Sequence, residues 1–170
     1  MLRLFRKYNG LLAQTPTEVT QLLLRLGLAT PFFLSGLTRW DGFALSTGAK
    51  YVFTEEFRLH LFGLMVPFPF PLATAWIVSA AEIVLPILLV LGVLTRFVAL
   101  AMLVMTAVIQ LTVPEGWAIH ITWAAMALAL VAYGGGPWAV DSLLPAPPAG
   151  RRERRSARKQ ISMRGKRGDA

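Results

Sequence analysis

Between Leu72 and Leu94 lie 23 consecutive residues whose only ionisable side chain is Glu82. At a helical rise of about 1.5 Å per residue such a run crosses a hydrocarbon core roughly 30 Å thick, which needs about 20 apolar residues. Glu82 then falls near mid-membrane. A carboxyl at that depth costs a few kcal/mol even on lenient insertion scales, so it must face protein or trapped water and find a partner, and such groups often mark functional sites.

Three further stretches share this character: Val19 to Leu37 with Arg25 as its one charge, Phe97 to Val113 with none, and Trp117 to Tyr133 with His120. The last two are 17 residues each and must span with little tilt or borrow flanking residues. The charged fraction of 15% is well below the ~25% usual in soluble domains. These segments are continuously apolar and lack the period-two alternation of barrel strands, which excludes a transmembrane β-barrel. The helix is left, because it satisfies its backbone within one segment. The expected fold is an all-α polytopic membrane protein, a four-transmembrane-helix bundle.

The chain has no cysteine, which removes thiolate metal ligands, disulfide exchange and the thiol-based membrane quinone reductases. Its net charge of +8 is concentrated in residues 151–170, where nine Lys/Arg face only Glu153 and Asp169. Three regions follow: an N-terminal segment over 1–18, a transmembrane domain over 19–144, and a Pro-rich exit with a polybasic, disordered tail over 145–170. Arg3, Arg6, Lys7, Arg96 and the tail fall on one side of a four-crossing chain, and the positive-inside rule puts both termini in the cytoplasm. The first span reads as an uncleaved anchor, since it contains Arg25 and ends without a small-residue cleavage motif. The tail is suited to anionic phospholipids, and nucleic acid is not an expected partner.

In the outer loop, Thr54-Glu55-Glu56 reads as an N-cap and acidic first turn, followed by Phe57, Leu61, Leu64 and Met65 at helical spacing. This predicts a short amphipathic interfacial helix, ended by the prolines at 67, 69 and 71. Trp40, Trp76, Trp117 and Trp138 sit near span ends, as an aromatic belt requires.

Depth counting brings Glu82 and Gln110 to similar levels, with Arg25 lower and reaching up by snorkelling. One reading is a ligand pocket built on an Arg25–Glu82 ion pair, extended by Gln110 and capped by His120, with Trp123 available to stack on a planar ligand. The other reading is a structural pair that pins two helices and binds nothing. Pro31 and Pro86 shape their helices. His60 and His120 are the only histidines, and no metal site is expected from them.

Several motifs resemble the DoxX family of small bacterial and archaeal membrane proteins. They are Arg25-Leu-Gly-Leu and Leu34-Ser-Gly-Leu-Thr-Arg39, then Glu82-Ile-Val-Leu-Pro-Ile-Leu-Leu-Val-Leu-Gly92 with Leu94-Thr-Arg96, and finally Gly134-Gly-Gly-Pro-Trp-Ala-Val-Asp-Ser-Leu-Leu144. Arg39 stands where many relatives carry lysine, and Ala139 where the closing motif often has serine. The resemblance implies a four-helix bundle with the glutamate facing inward and an association with membrane redox chemistry; the name-giving relatives are subunits of a thiosulfate:quinone oxidoreductase.

The expected function is thus a membrane subunit of a quinone-linked redox or respiratory assembly in a bacterial or archaeal cytoplasmic membrane. A quinone headgroup is the candidate ligand, for a pocket formed by Arg25, Glu82, Gln110, His120 and Trp123. No intrinsic cofactor is expected. Electrons must come from a protein partner, because no flavin or nucleotide loop is present, and this points to a subunit rather than an enzyme acting alone. The alternative is a non-catalytic scaffold or assembly factor. Arg96 and Asp141 are expected to form a structural clasp at the inner surface.

Overall fold

The computed structural model describes residues 16–143. Four helices are long and apolar enough to cross a membrane: α1 (Thr17–Thr38), α3 (Pro71–Leu91), α4 (Thr95–Thr112) and α5 (Trp117–Tyr133), the last preceded by a 3₁₀ turn over Pro114–Gly116. The all-α, four-span expectation is borne out. The tail expected over 145–170, and nearly all of the N-terminal segment expected over 1–18, lie outside the described residues.

Helix ends follow local chemistry. At one end of α3, Pro71 occupies the first turn, where its missing N–H is no loss. At the other end Gly92 adopts a left-handed conformation (φ 73°), and the N–H groups of Gly92 and Val93 return to Leu89 O and Leu88 O. A side chain at Gly92 would also collide with Ala139 and the Arg25 guanidinium. This turn therefore stops the second span at Leu91 rather than at Leu94. It defines what we term the inner end, opposite the outer loop over residues 39–70.

The four spans form a ring in which α1 packs along α3 and α5, and α4 along α5 and α3. The interior toward the inner end is filled by Leu28, Phe32, Leu89, Met102 and Leu130, with Ala29, Ala99 and Ala127 letting backbones approach. Small residues at such contacts matter because lipid tails remove the hydrophobic drive between helices and leave close packing to hold them. The outward faces carry exposed Leu23, Leu34, Ile77, Phe97 and Ile119, as a lipid-facing surface requires.

The outer loop differs from expectation. Instead of a helix beginning at Thr54, a two-residue ladder (β1, Trp40–Asp41; β2, Ala44–Leu45) leads into α2 (Thr47–Tyr51), which continues as a π turn over Val52–Glu56. Ser46 is the N-cap, accepting the Ala49 N–H at 3.1 Å, whereas the Thr54 hydroxyl donates back to Lys50 O at 3.0 Å within the helical segment. Residues 58–67 then form an antiparallel hairpin, β3 (Arg58–Leu61) with β4 (Leu64–Pro67), turning at Phe62-Gly63 where both residues have positive φ. Such a turn matches the twist of paired strands. A short apolar run satisfies helical and alternating patterns equally, so spacing alone did not separate them.

Candidate functional site

Glu82 lies eleven residues beyond Pro71, about 16 Å down α3. Its side chain is 3% exposed. Its cation is Arg39, not Arg25: Arg39 Nε donates to Glu82 Oε2 at 3.1 Å, and the Ser35 hydroxyl lies 3.5 Å from Oε1. The helix register explains the correction. Gly36 brings α1 against α3 so closely that a Cβ there would stand 3.0 Å from Glu82 backbone and Cβ. With Ser35 and Gly36 level with Glu82, Arg25 lies ten residues deeper, about 15 Å along the axis, beyond any side-chain reach. Arg39 follows the last residue of α1, and the lean of helical side chains toward the N-terminus folds it back over Ser35.

Arg39 is also held by aromatic faces. Its guanidinium carbon stands 5.2 Å from the Phe53 ring centroid and 5.7 Å from that of Phe57, within cation–π range. These rings, with Phe32, Phe68 and Trp123, help enclose a cavity of about 140 Å³ that reaches Ser35, Arg39 and Glu82. The rest of the wall is apolar apart from Thr112, whose hydroxyl donates to Val108 O at 2.8 Å. Among the described residues only the Nε of Arg39 is engaged by a protein acceptor, leaving its two Nη groups as uncommitted donors. Glu82 accepts one short bond and one long contact, fewer than a carboxylate can take.

Of the residues proposed to join Glu82, Trp123 lines the cavity, tilted against Phe32 with ring centroids 5.2 Å apart. Gln110 and His120 do not join Glu82. The cavity face of α4 is Val108, Ile109 and Thr112, and one residue's rotation of about 100° turns Gln110 away toward α5. There Gln110 Oε1 is 2.8 Å from His120 Nδ1, and its amide donates to Pro114 O at 3.1 Å. His120 touches the site only from behind, 5.2 Å from the Trp123 ring. His60 Nδ1 is 3.1 Å from Leu111 O. Among the described residues no cluster of three His, Asp or Glu is arranged to hold a metal ion.

Arg25, 1% exposed, belongs to the inner end. Its guanidinium donates to Val90 O at 3.0 Å, an orphan carbonyl of the last turn of α3, and to Trp138 O at 3.3 Å. The expected Arg96–Asp141 clasp is likewise resolved into two separate caps. Arg96 donates to Val131 O and Ala132 O at the end of α5, at 2.8 and 2.9 Å. Asp141 accepts the Leu94 and Thr95 N–H groups at the start of α4, both at 2.7 Å. Each charge prefers a helix end, where several backbone groups lack partners, to a single opposite charge. Burial raises the Asp141 carboxyl pKa, but the Thr95 and Leu94 N–H groups and the Arg25 charge outweigh it and hold the group below the ordinary aspartate value.

Sequence reasoning missed Arg39, Ser35, Phe53 and Phe57 as parts of the site. A signal existed for the first two, since Ser35 and Arg39 are one turn apart and both fall in the Leu34-to-Arg39 motif.

Four apolar spans closed around an inward-facing, neutralised carboxylate define a small polytopic membrane protein with an intramembrane polar site. The DoxX family model matches residues 20–115, more than half of the chain, and the protein belongs to the DoxX family. It is 31% identical over 140 residues to an uncharacterized protein of Haemophilus influenzae, an alignment covering 74% of this chain and 83% of that relative. No solved structure matches it.

Proposed function

We propose that the cavity at Glu82 receives the headgroup of a membrane quinone, and that the protein serves as an integral subunit of a quinone-linked redox assembly. The observation that carries this reading is the pairing of uncommitted Arg39 donors with spare Glu82 acceptor capacity inside an aromatic wall. A quinone carbonyl accepts from Arg39, its ring lies against Phe or Trp faces, and the hydroxyl of the reduced form donates to Glu82. Reduction takes two electrons, supplied by a redox partner protein, and two protons, one to each carbonyl oxygen. Glu82 takes one proton from water and passes it to the near carbonyl oxygen, and water supplies the other.

Setting this assembly in a bacterial or archaeal cytoplasmic membrane, with both termini cytoplasmic and the basic tail on anionic phospholipid, is supported by the distribution of Lys and Arg. Quinone binding to purified protein tests the reading, with wild type beside Glu82→Gln and Arg39→Gln. Saturable binding lost in both folded variants supports it. Absence of binding in wild type rejects it and favours a scaffold whose buried pair is structural.

A further inference from the structure

The β3–β4 hairpin is an apolar projection that the cavity does not use. It springs from the cavity wall: Phe57 precedes β3, Phe68 follows β4, and both line the cavity. β3 is half-buried, packing on the outer end of α4. β4 is different. Leu64, Met65, Val66 and Pro67 are all exposed, although successive strand residues point to opposite faces. The ribbon is therefore bare and apolar on both sides along this strand. At its tip Phe62 is fully exposed at φ 50°, a left-handed conformation that bulky residues rarely adopt.

From Leu59 to Pro71 the sequence contains no Asp, Glu, Lys or Arg, while Glu55, Glu56 and Arg58 cluster just before it. Charge thus stops where the hairpin leaves the bundle. The smaller β1–β2 turn also exposes a phenylalanine fully, Phe43, although Asp41 stands beside it. Lipid wets both faces of such a ribbon at once, and the hairpin is rooted on α4, whose outward face already exposes Phe97, Leu100, Val104 and Leu111.

We infer that the β3–β4 hairpin dips into the outer leaflet of the bilayer, with Phe62, Leu64 and Met65 in contact with acyl chains. It anchors the Phe57 and Phe68 wall of the cavity against lipid. The inference is independent of whether the cavity holds a quinone.

The absence of cysteine allows a clean test. Phe62→Cys, Met65→Cys and, as a control in the water-exposed part of the loop, Lys50→Cys are each spin-labelled in phosphatidylcholine/phosphatidylglycerol proteoliposomes. Power-saturation EPR then compares collision with oxygen and with a water-soluble nickel chelate. Labels at 62 and 65 are expected to favour oxygen and to collide with the chelate at least several-fold less than the label at 50. Chelate collision equal to that at position 50 overturns the inference. Low collision with both reagents, as a protein partner or second copy produces, also overturns it. Two independent labelling positions, each checked for native helical content by circular dichroism, keep the outcome readable if one variant fails to fold.

Discussion

Arg39 Nε rests 3.1 Å from Glu82 Oε2, so the cation from the outer end of the first span neutralises the acid near the middle of the second. Both partners are largely withdrawn from solvent. Removing one member of such a pair leaves an uncompensated charge, whereas removing both does not.

This geometry predicts non-additive stability. Arg39→Gln alone is expected to cost about 3–5 kcal/mol. The Arg39/Glu82 double-mutant cycle should show coupling of about 0.5–3 kcal/mol, while Arg25 with Glu82 should add within ~0.5 kcal/mol. Unfolding in detergent, followed by circular dichroism, measures both cycles. Strong coupling of Arg25 rather than Arg39 to Glu82 would contradict the register described.

Gly36 sets that register. Gly36→Ala brings a methyl to 2.8 Å from Ile83 Cδ1 and 3.0 Å from Glu82 backbone, and backbone cannot yield as a side-chain tip does. A loss of about 1–3 kcal/mol is expected, with Gly36→Leu worse. Differential scanning measurements on the two variants check the order.

Asp141 acts as an N-cap supplied from elsewhere in the chain, because Leu94 has no side chain able to cap α4. Asp141→Ala is expected to cost about 0.5–2 kcal/mol. Its pKa is lower in the folded protein than in the unfolded chain, so its stabilisation is complete above the ordinary aspartate range and disappears as pH falls through the lower folded value. Wild type should lose stability across that acidic window more steeply than Asp141→Asn, as pH-dependent unfolding will show.

Gln110 joins the end of α4 to the beginning of α5 through Pro114 and His120. Gln110→Leu leaves the buried His120 ring nitrogen without this partner, and about 1–3 kcal/mol should be lost. Because the His120 ring packs 5.2 Å from that of Trp123, tryptophan fluorescence should also shift in the Gln110→Leu variant; identical spectra would argue against that coupling.

The turn at Gly92 and the outer hairpin show why the sequence was legible in one part and opaque in another. Left-handed glycine after an apolar run is a local signal, and the span boundaries near it are recovered within a few residues. The Phe57–Pro67 stretch carries two periodicities at once, and only packing of β3 on α4 selects the strand. The capping charges were found at the correct end of the bundle, yet paired with each other, because sequence does not reveal which helix ends stand open.

Four membrane-length apolar segments and a buried acid at Glu82 follow from sequence alone, because bilayer thickness and the cost of an intramembrane charge act on length and composition; the family resemblance rests instead on particular motifs. The identity of the acid's partner does not. It depends on the sliding and rotation of α1 against α3, set where Gly36 admits the Glu82 backbone, and on the rotation of α4 that turns Ile109 inward and Gln110 aside. Those rigid-body variables have no counterpart in any single segment; the placement of α1 on α3 made Arg39 the site residue and Arg25 a helix cap, and the rotation of α4 removed Gln110.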